Sequence, residues 1–144
     1  LDGKVLGLIF SKAPTRTRVS FTVAMARLGG QTIDLNPSVS QVGRGEPIED
    51  TARVLSRYLN AVAIRTFAQS DLQAYADAAS IPIINALTDL EHPCQALADY
   101  LTMQEAFGSL EGLTMTYVGD GNNVAHSLLI AGALFGVNVR IGCP

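Results

Sequence analysis

The chain has 144 residues, 48% of them hydrophobic and 16% charged, with a formal net charge of -3 at pH 7. That length holds one ordinary domain, or one domain and part of another, and the balance describes a packed core. The negative charge argues against a nucleic-acid footprint, and no stretch approaches the roughly 18 consecutive apolar residues of a membrane span. Cys94 and Cys143, the two cysteines, make no disulfide framework, which fits a reducing cytoplasm. Leu1-Asp2-Gly3-Lys4 reads as neither a signal nor a transit peptide. The missing initiator Met and the stop after an apolar run, at Ile141-Gly142-Cys143-Pro144, lead us to expect a fragment cut at both ends.

Short β-type runs alternate with longer helical patterns. Val5 to Phe10 reads as a buried strand, and Thr15 to Leu28 as a helix stopped by Gly29-Gly30. Gln31 to Leu35 reads as a strand, and residues 36–46, rich in Asn, Pro, Ser and Gly, as a long loop. Pro47 to Leu59 reads as a helix with Pro in its first turn. Ala61 to Ile64 is a predicted strand, Ser70 to Ala79 a helix, Pro82 to Asn85 a strand, and Pro93 to Phe107 a helix ending at Gly108. Leu113 to Val118, Asn123 to Phe135 and Val137 to Ile141 follow as strand, helix and strand.

This βα rhythm predicts the α/β class: a mostly parallel sheet with helices on both faces. The break at Gly108-Ser109-Leu110-Glu111-Gly112 divides the chain into residues 1–108 and 109–144, the latter being the first βαβ unit of a second α/β domain. Ligands in such sheets sit beyond the carboxyl ends of the strands. The segments to read are therefore 11–18, 36–46, 65–66, 87–95 and 119–123.

Lys12-Ala13-Pro14-Thr15-Arg16-Thr17-Arg18 follows a strand and opens a helix. A helix start offers free N–H groups and a positive dipole end, which suits a phosphate. Basic residues oppose that dipole, so an ordinary solvated turn would prefer Asp or Glu. Arg16 and Arg18, two apart, cannot share one helix face; one can grip an anion while the other points to a carboxylate. Arg65 ends an apolar strand and either reaches the same crevice or is a surface Arg at a strand end. His92-Pro93-Cys94-Gln95 lies between strand and helix. His92 reads as a donor or acid–base group, or else as an ordinary helix cap. Zinc at His92 and Cys94 is disfavoured, because no second ligand pair has the spacing. Gly119-Asp120-Gly121-Asn122-Asn123 half-matches the dinucleotide fingerprint, but Val124 holds the third Gly position and no acidic residue ends the next strand. Asn122 and Asn123 are read instead as amides offered to a polar ligand.

Taken together, Phe10-Ser11-Lys12-Ala13-Pro14-Thr15-Arg16-Thr17-Arg18-Val19-Ser20-Phe21 and His92-Pro93-Cys94-Gln95 resemble the two motifs of the aspartate/ornithine carbamoyltransferase family, F-x-x-x-S-T-R-T-R-x-S-F and H-P-x-Q. The resemblance covers nearly the whole chain. Gly119 to Ser127, Leu87 to Asp99 and Gln41 are similar to the family's ornithine branch. The resemblance implies carbamoyl transfer from carbamoyl phosphate to the δ-amine of ornithine, giving citrulline and phosphate. It implies that Pro14, Thr15, Arg16 and Thr17 bind the phosphate, with Arg16 the main charge partner. Thr17, Arg65 and His92 would be the catalytic donors to the carbonyl oxygen, Gln95 would hold the carbamoyl NH2, and Asn123 would contact ornithine. Gln41 would reach a neighbouring subunit's carbamoyl phosphate, which implies a homotrimer with shared sites. No cofactor, metal, nucleic acid or membrane is implied. Residues 1–108 would be the carbamoyl-phosphate-binding domain without its first helix, and 109–144 part of the ornithine-binding domain.

Two departures qualify this expectation. Pro14 stands where the motif has Ser, which removes a hydroxyl and an N–H. The family's S-M-G and H-C-L-P motifs do not occur in the sequence, so the chain alone is expected to make no citrulline at a useful rate. The alternatives are a carbamoyltransferase with another acceptor (aspartate, putrescine or an acylated ornithine) and a non-catalytic anion-binding fragment.

Overall fold

A computed structural model describes residues 1–11, 14–36 and 45–144. They form two compact units, Leu1–Ala86 and Leu87–Pro144. The first carries β1 (Val5–Phe10), α1 (Thr15–Arg27), β2 (Gln31–Asp34), α2 (Ile48–Leu55), β3 (Ala61–Arg65), α3 (Gln69–Ala78) and β4 (Ile83–Leu87), the last strand running one residue past Ala86.

The strand order is β2-β1-β3-β4. β1 pairs parallel with both neighbours, Leu8 opposite Asp34 on one side and Phe10 opposite Arg65 on the other. The chain steps outward from β1 to β2 and then crosses back over β1 to reach β3. Right-handed crossovers running in opposite directions put their helices on opposite faces. The packing agrees. Leu6, Leu8 and Phe10 form a cluster with Met25 and Phe21 of α1. Ile9, Val62 and Ile64 pack with Ala52 of α2 and with Leu72 and Tyr75 of α3. β1 is thus covered on both faces, which is why it reads as one apolar run rather than as an alternation. Gly7 leaves room there for Leu59, since a Cβ at Gly7 would lie 2.6 Å from Leu59 Cδ1.

The α/β class and the helices on both faces are as expected from the sequence, with most ends within a residue or two and one helix clearly shorter. The helix predicted to run to Leu59 ends at Leu55. Arg57 N–H donates to Val54 O and Tyr58 N–H to Leu55 O, each at 3.0 Å, so the last turn tightens. Ser56 Oγ donates to Ala52 O at 2.7 Å and accepts from Ser80 N–H at 3.1 Å. Leu59 N–H still donates to Leu55 O at 3.0 Å, and its side chain enters the core with Ile9 and Val62.

The second unit carries α4 (Pro93–Phe107), β5 (Thr114–Val118), α5 (Asn123–Phe135) and β6 (Asn138–Gly142). Gly108, at φ 79°, closes α4 in the left-handed conformation that glycine adopts without strain. β5 and β6 pair parallel from Thr114–Asn138 to Val118–Gly142, a βαβ unit. Ala96 and Tyr100 of α4 meet Leu128 and Ala131 of α5 and Val137 before β6 in the core. The Tyr100 hydroxyl donates to Leu128 O at 2.7 Å. Among the described residues no helix is long and apolar enough to cross a membrane.

Candidate functional site

In the first unit the order of strands reverses at β1, so the crevice beyond β1 and β3 is the place for a ligand. α1 opens there. Pro14 holds the N-cap position, at φ -83° and ψ 84°, with no side-chain cap bond. The first intrahelical bond is Arg18 N–H to Pro14 O, at 3.0 Å. Helix geometry therefore leaves the N–H groups of Thr15, Arg16 and Thr17 without intrahelical acceptors. No acidic residue stands in the first turn.

The two arginines of this turn go separate ways. Arg18 Nε lies 3.2 Å from Asp34 Oδ2, at the end of β2, while Arg16 is exposed. The carboxylate partner foreseen for one of them is Asp34. Arg65, at the end of β3, donates from Nη1 to Thr17 Oγ1 at 3.0 Å. The Phe10–Arg65 register sets this contact, because it brings the end of β3 level with the end of β1, after which α1 begins. One helix start thus carries free N–H groups, the Thr15 and Thr17 hydroxyls, and two cationic side chains from different elements. The arrangement suits a small multivalent oxyanion. Gln41 lies outside the described residues.

In the second unit His92 is the N-cap residue of α4, with Pro93 in its first turn, and its side chain makes no cap bond. The cap reading of the sequence therefore does not describe the imidazole. Gln95 is exposed and donates from Nε2 to Asp99 Oδ1 at 2.9 Å. Its carbonyl Oε1 is then the atom suited to an amide NH2. Cys94 is half-buried, and burial pushes its thiol pKa up. That favours the inert thiol over a nucleophilic thiolate.

Asn122 and Asn123 divide their work differently from the reading that both amides serve a ligand. Asn122 caps α5, its Oδ1 accepting from Val124 N–H at 3.0 Å and from Ala125 N–H at 3.3 Å. Asn123 Nδ2 donates to Thr88 O at 2.7 Å. Both asparagines face a cleft of about 480 Å³ that is also lined by Asp89, Leu90, His126 and Cys143. Sequence reasoning did not single out Thr88, His126 or Ser127. Their signal was weak: a polar run before His92, and two polar residues in an apolar helix. Among the described residues no group of three or more His, Cys, Asp or Glu is placed to hold a metal ion.

A parallel sheet with an oxyanion-type helix start at its switch point is an arrangement that suits small phosphorylated ligands. Residues 1–105 match the family model for the aspartate/ornithine carbamoyltransferase carbamoyl-P binding domain, and residues 111–144 that for the Asp/Orn binding domain. The chain belongs to the aspartate/ornithine carbamoyltransferase family. It is 74% identical, over its whole length, to an ornithine carbamoyltransferase of Prochlorococcus marinus (strain MIT 9313), and spans 45% of that relative. The solved ornithine carbamoyltransferase of Pyrococcus furiosus is similar over 100% of this chain and 46% of its own, with a TM-score of 0.94 and 54% identity. An aspartate transcarbamoylase of Trypanosoma cruzi, solved with carbamoyl aspartate and phosphate, is similar at a TM-score of 0.81 and 28% identity, over 98% of this chain and 56% of its own.

Proposed function

We propose that this chain carries the carbamoyl-phosphate site of an ornithine carbamoyltransferase, with residues 1–108 as the carbamoyl-phosphate domain and 109–144 as the beginning of the ornithine domain. The observation that carries the reading is the Arg65–Thr17 bond at the start of α1. It holds a guanidinium and a hydroxyl at a helix end already disposed to receive a phosphate. High identity to an ornithine carbamoyltransferase supports ornithine as acceptor over aspartate.

In this proposal Pro14, Thr15, Arg16 and Thr17 hold the phosphate, Pro14 through its place at the helix start alone. Thr17, Arg65 and His92 donate to the carbonyl oxygen. The δ-amine of ornithine attacks the carbonyl carbon, negative charge gathers on that oxygen, and fixed donors stabilise it. The C–O bond to phosphate then breaks, the amine proton passes to the departing phosphate, and citrulline and phosphate leave. Gln95 Oε1 accepts from the carbamoyl NH2. Asn123 turns Oδ1 to ornithine, because its NH2 already serves Thr88. Alignment of the two reactants supplies most of the rate enhancement, with no covalent intermediate. Gln41 serves a neighbouring subunit's site in a homotrimer, and the enzyme works in arginine biosynthesis in the cytoplasm.

Calorimetry of the chain with carbamoyl phosphate and with inorganic phosphate tests the binding part. Carbamoyl phosphate should bind more tightly than phosphate, and His92→Ala should remove the difference. Equal affinities in the unaltered chain would leave an anion-binding fragment only. Turnover is proposed for the full-length parent, where carbamoyl aspartate rather than citrulline as product would overturn the acceptor.

A further inference from the structure

Three backbone groups on alternate residues before α4 each meet one side chain of α5. Thr88 O accepts from Asn123 Nδ2 at 2.7 Å, Leu90 O lies 3.0 Å from His126 Nδ1, and His92 N–H donates to Ser127 Oγ at 2.8 Å. Positions 123, 126 and 127 stand at i, i+3 and i+4, so they share one helix face. The segment is also closed on itself. Thr88 N–H donates to Glu91 O at 2.9 Å, and Glu91 N–H donates to Thr88 Oγ1 at 3.1 Å. Thr88 is 0% exposed. A carbonyl only accepts, so the contact with Leu90 assigns the proton of His126 to Nδ1.

We propose that His126, with Asn123 and Ser127, is a positioning residue for His92. The α5 face sets the place of the 88–92 segment, and with it the direction of the imidazole that begins α4. This rests on the reading that His92 acts on carbamoyl phosphate. His126 is the residue to test, since Asn123 is already assigned an acceptor contact and Ser127 is buried in the core at 3% exposure.

His92 and His126 are the two histidines of the chain, so any His126 variant leaves a single imidazole to observe, that of His92. Asn places its amide nitrogen where Nδ1 stands, whereas Gln places it where Nε2 stands. NMR of His126→Asn, His126→Gln and His126→Leu should read the His92 ring shift and the exchange rate of its backbone amide, with calorimetry reading the carbamoyl phosphate affinity. Gln and Leu should speed that exchange, move the ring shift and weaken carbamoyl phosphate, each rate or affinity by about tenfold, the scale of one lost hydrogen bond. Asn should restore all three. The positioning role is overturned if Asn and Gln behave alike, or if Leu lowers only the thermal midpoint and leaves the His92 signals in place. If His126→Leu loosens the His92 amide while His92→Ala leaves carbamoyl phosphate affinity unchanged, the function assigned to His92 fails and the clamp on it stands.

Discussion

Arg65 Nη1 donates to Thr17 Oγ1 at 3.0 Å, joining residues 48 positions apart in the chain. The bond fixes a flexible guanidinium beside a helix start before any anion arrives, which lowers the ordering cost of binding. Thr17→Val keeps the shape and removes the acceptor. Carbamoyl phosphate affinity should fall about tenfold or more, since bonds to charged groups contribute about 1.5–3 kcal/mol each. Calorimetry checks this, with circular dichroism expected to show an unchanged fold. Undiminished affinity would remove Thr17 from the site.

Pro14 has no N–H and no hydroxyl at the N-cap of α1. Pro14→Ser supplies both, an N–H and a hydroxyl, as donors for the phosphate. Tighter carbamoyl phosphate binding is expected, by about 1.5–3 kcal/mol for a single recovered bond. Equal affinity in the two proteins would mean that Pro14 costs the site nothing.

In the second unit a Cβ at Gly132 would meet the Val139 side chain and would lie 2.6 Å from the Tyr100 hydroxyl. Gly132→Ala should therefore push α5 off β6 and break the Tyr100–Leu128 bond. The expected cost is about 1–3 kcal/mol, the usual range for overpacking, read as a lower urea midpoint. Tyr100→Phe loses only the bond at 2.7 Å and should cost about 0.5–1.5 kcal/mol, because Leu128 O, inside α5, keeps its helical donor. An alanine variant as stable as the original would contradict the close packing here.

Tyr75 is 4% exposed, and its hydroxyl has no hydrogen-bond partner among the described residues. Burial, then the charges of Asp71 and Glu46, push its pKa from the ordinary 10.0 to about 12. The folded state therefore keeps this proton after the unfolded state has lost it. Its contribution is complete below about pH 10 and is lost as pH rises toward about 12. Denaturant titrations across that window should show a shallower alkaline loss in Tyr75→Phe than in the original. Near neutral pH the same variant should be no less stable, since no bond is lost. An unchanged alkaline slope would refute the shift.

Much of the fold is legible in one dimension. The apolar run of β1, the Pro-to-Gly span of α4 and the βα rhythm are local patterns, set by which residues must be buried and at what period. The basic turn at Thr15-Arg16-Thr17-Arg18 is local too, because a helix end has the same free N–H groups wherever it lies. Tertiary structure alone decided the partners. Arg18 goes to Asp34, and Arg65 to Thr17, because the sheet register sets Asp34 beside Leu8 and Arg65 beside Phe10, the last residue of β1 before α1. Asn122 and Asn123 look equivalent in sequence, but one faces the first turn of its own helix and the other faces Thr88. α2 stops at Leu55, and Leu59 beyond it packs against the bare backbone of Gly7. Periodicity determines which faces are buried, whereas hydrogen bonds between segments far apart in the chain depend on how the sheet aligns them.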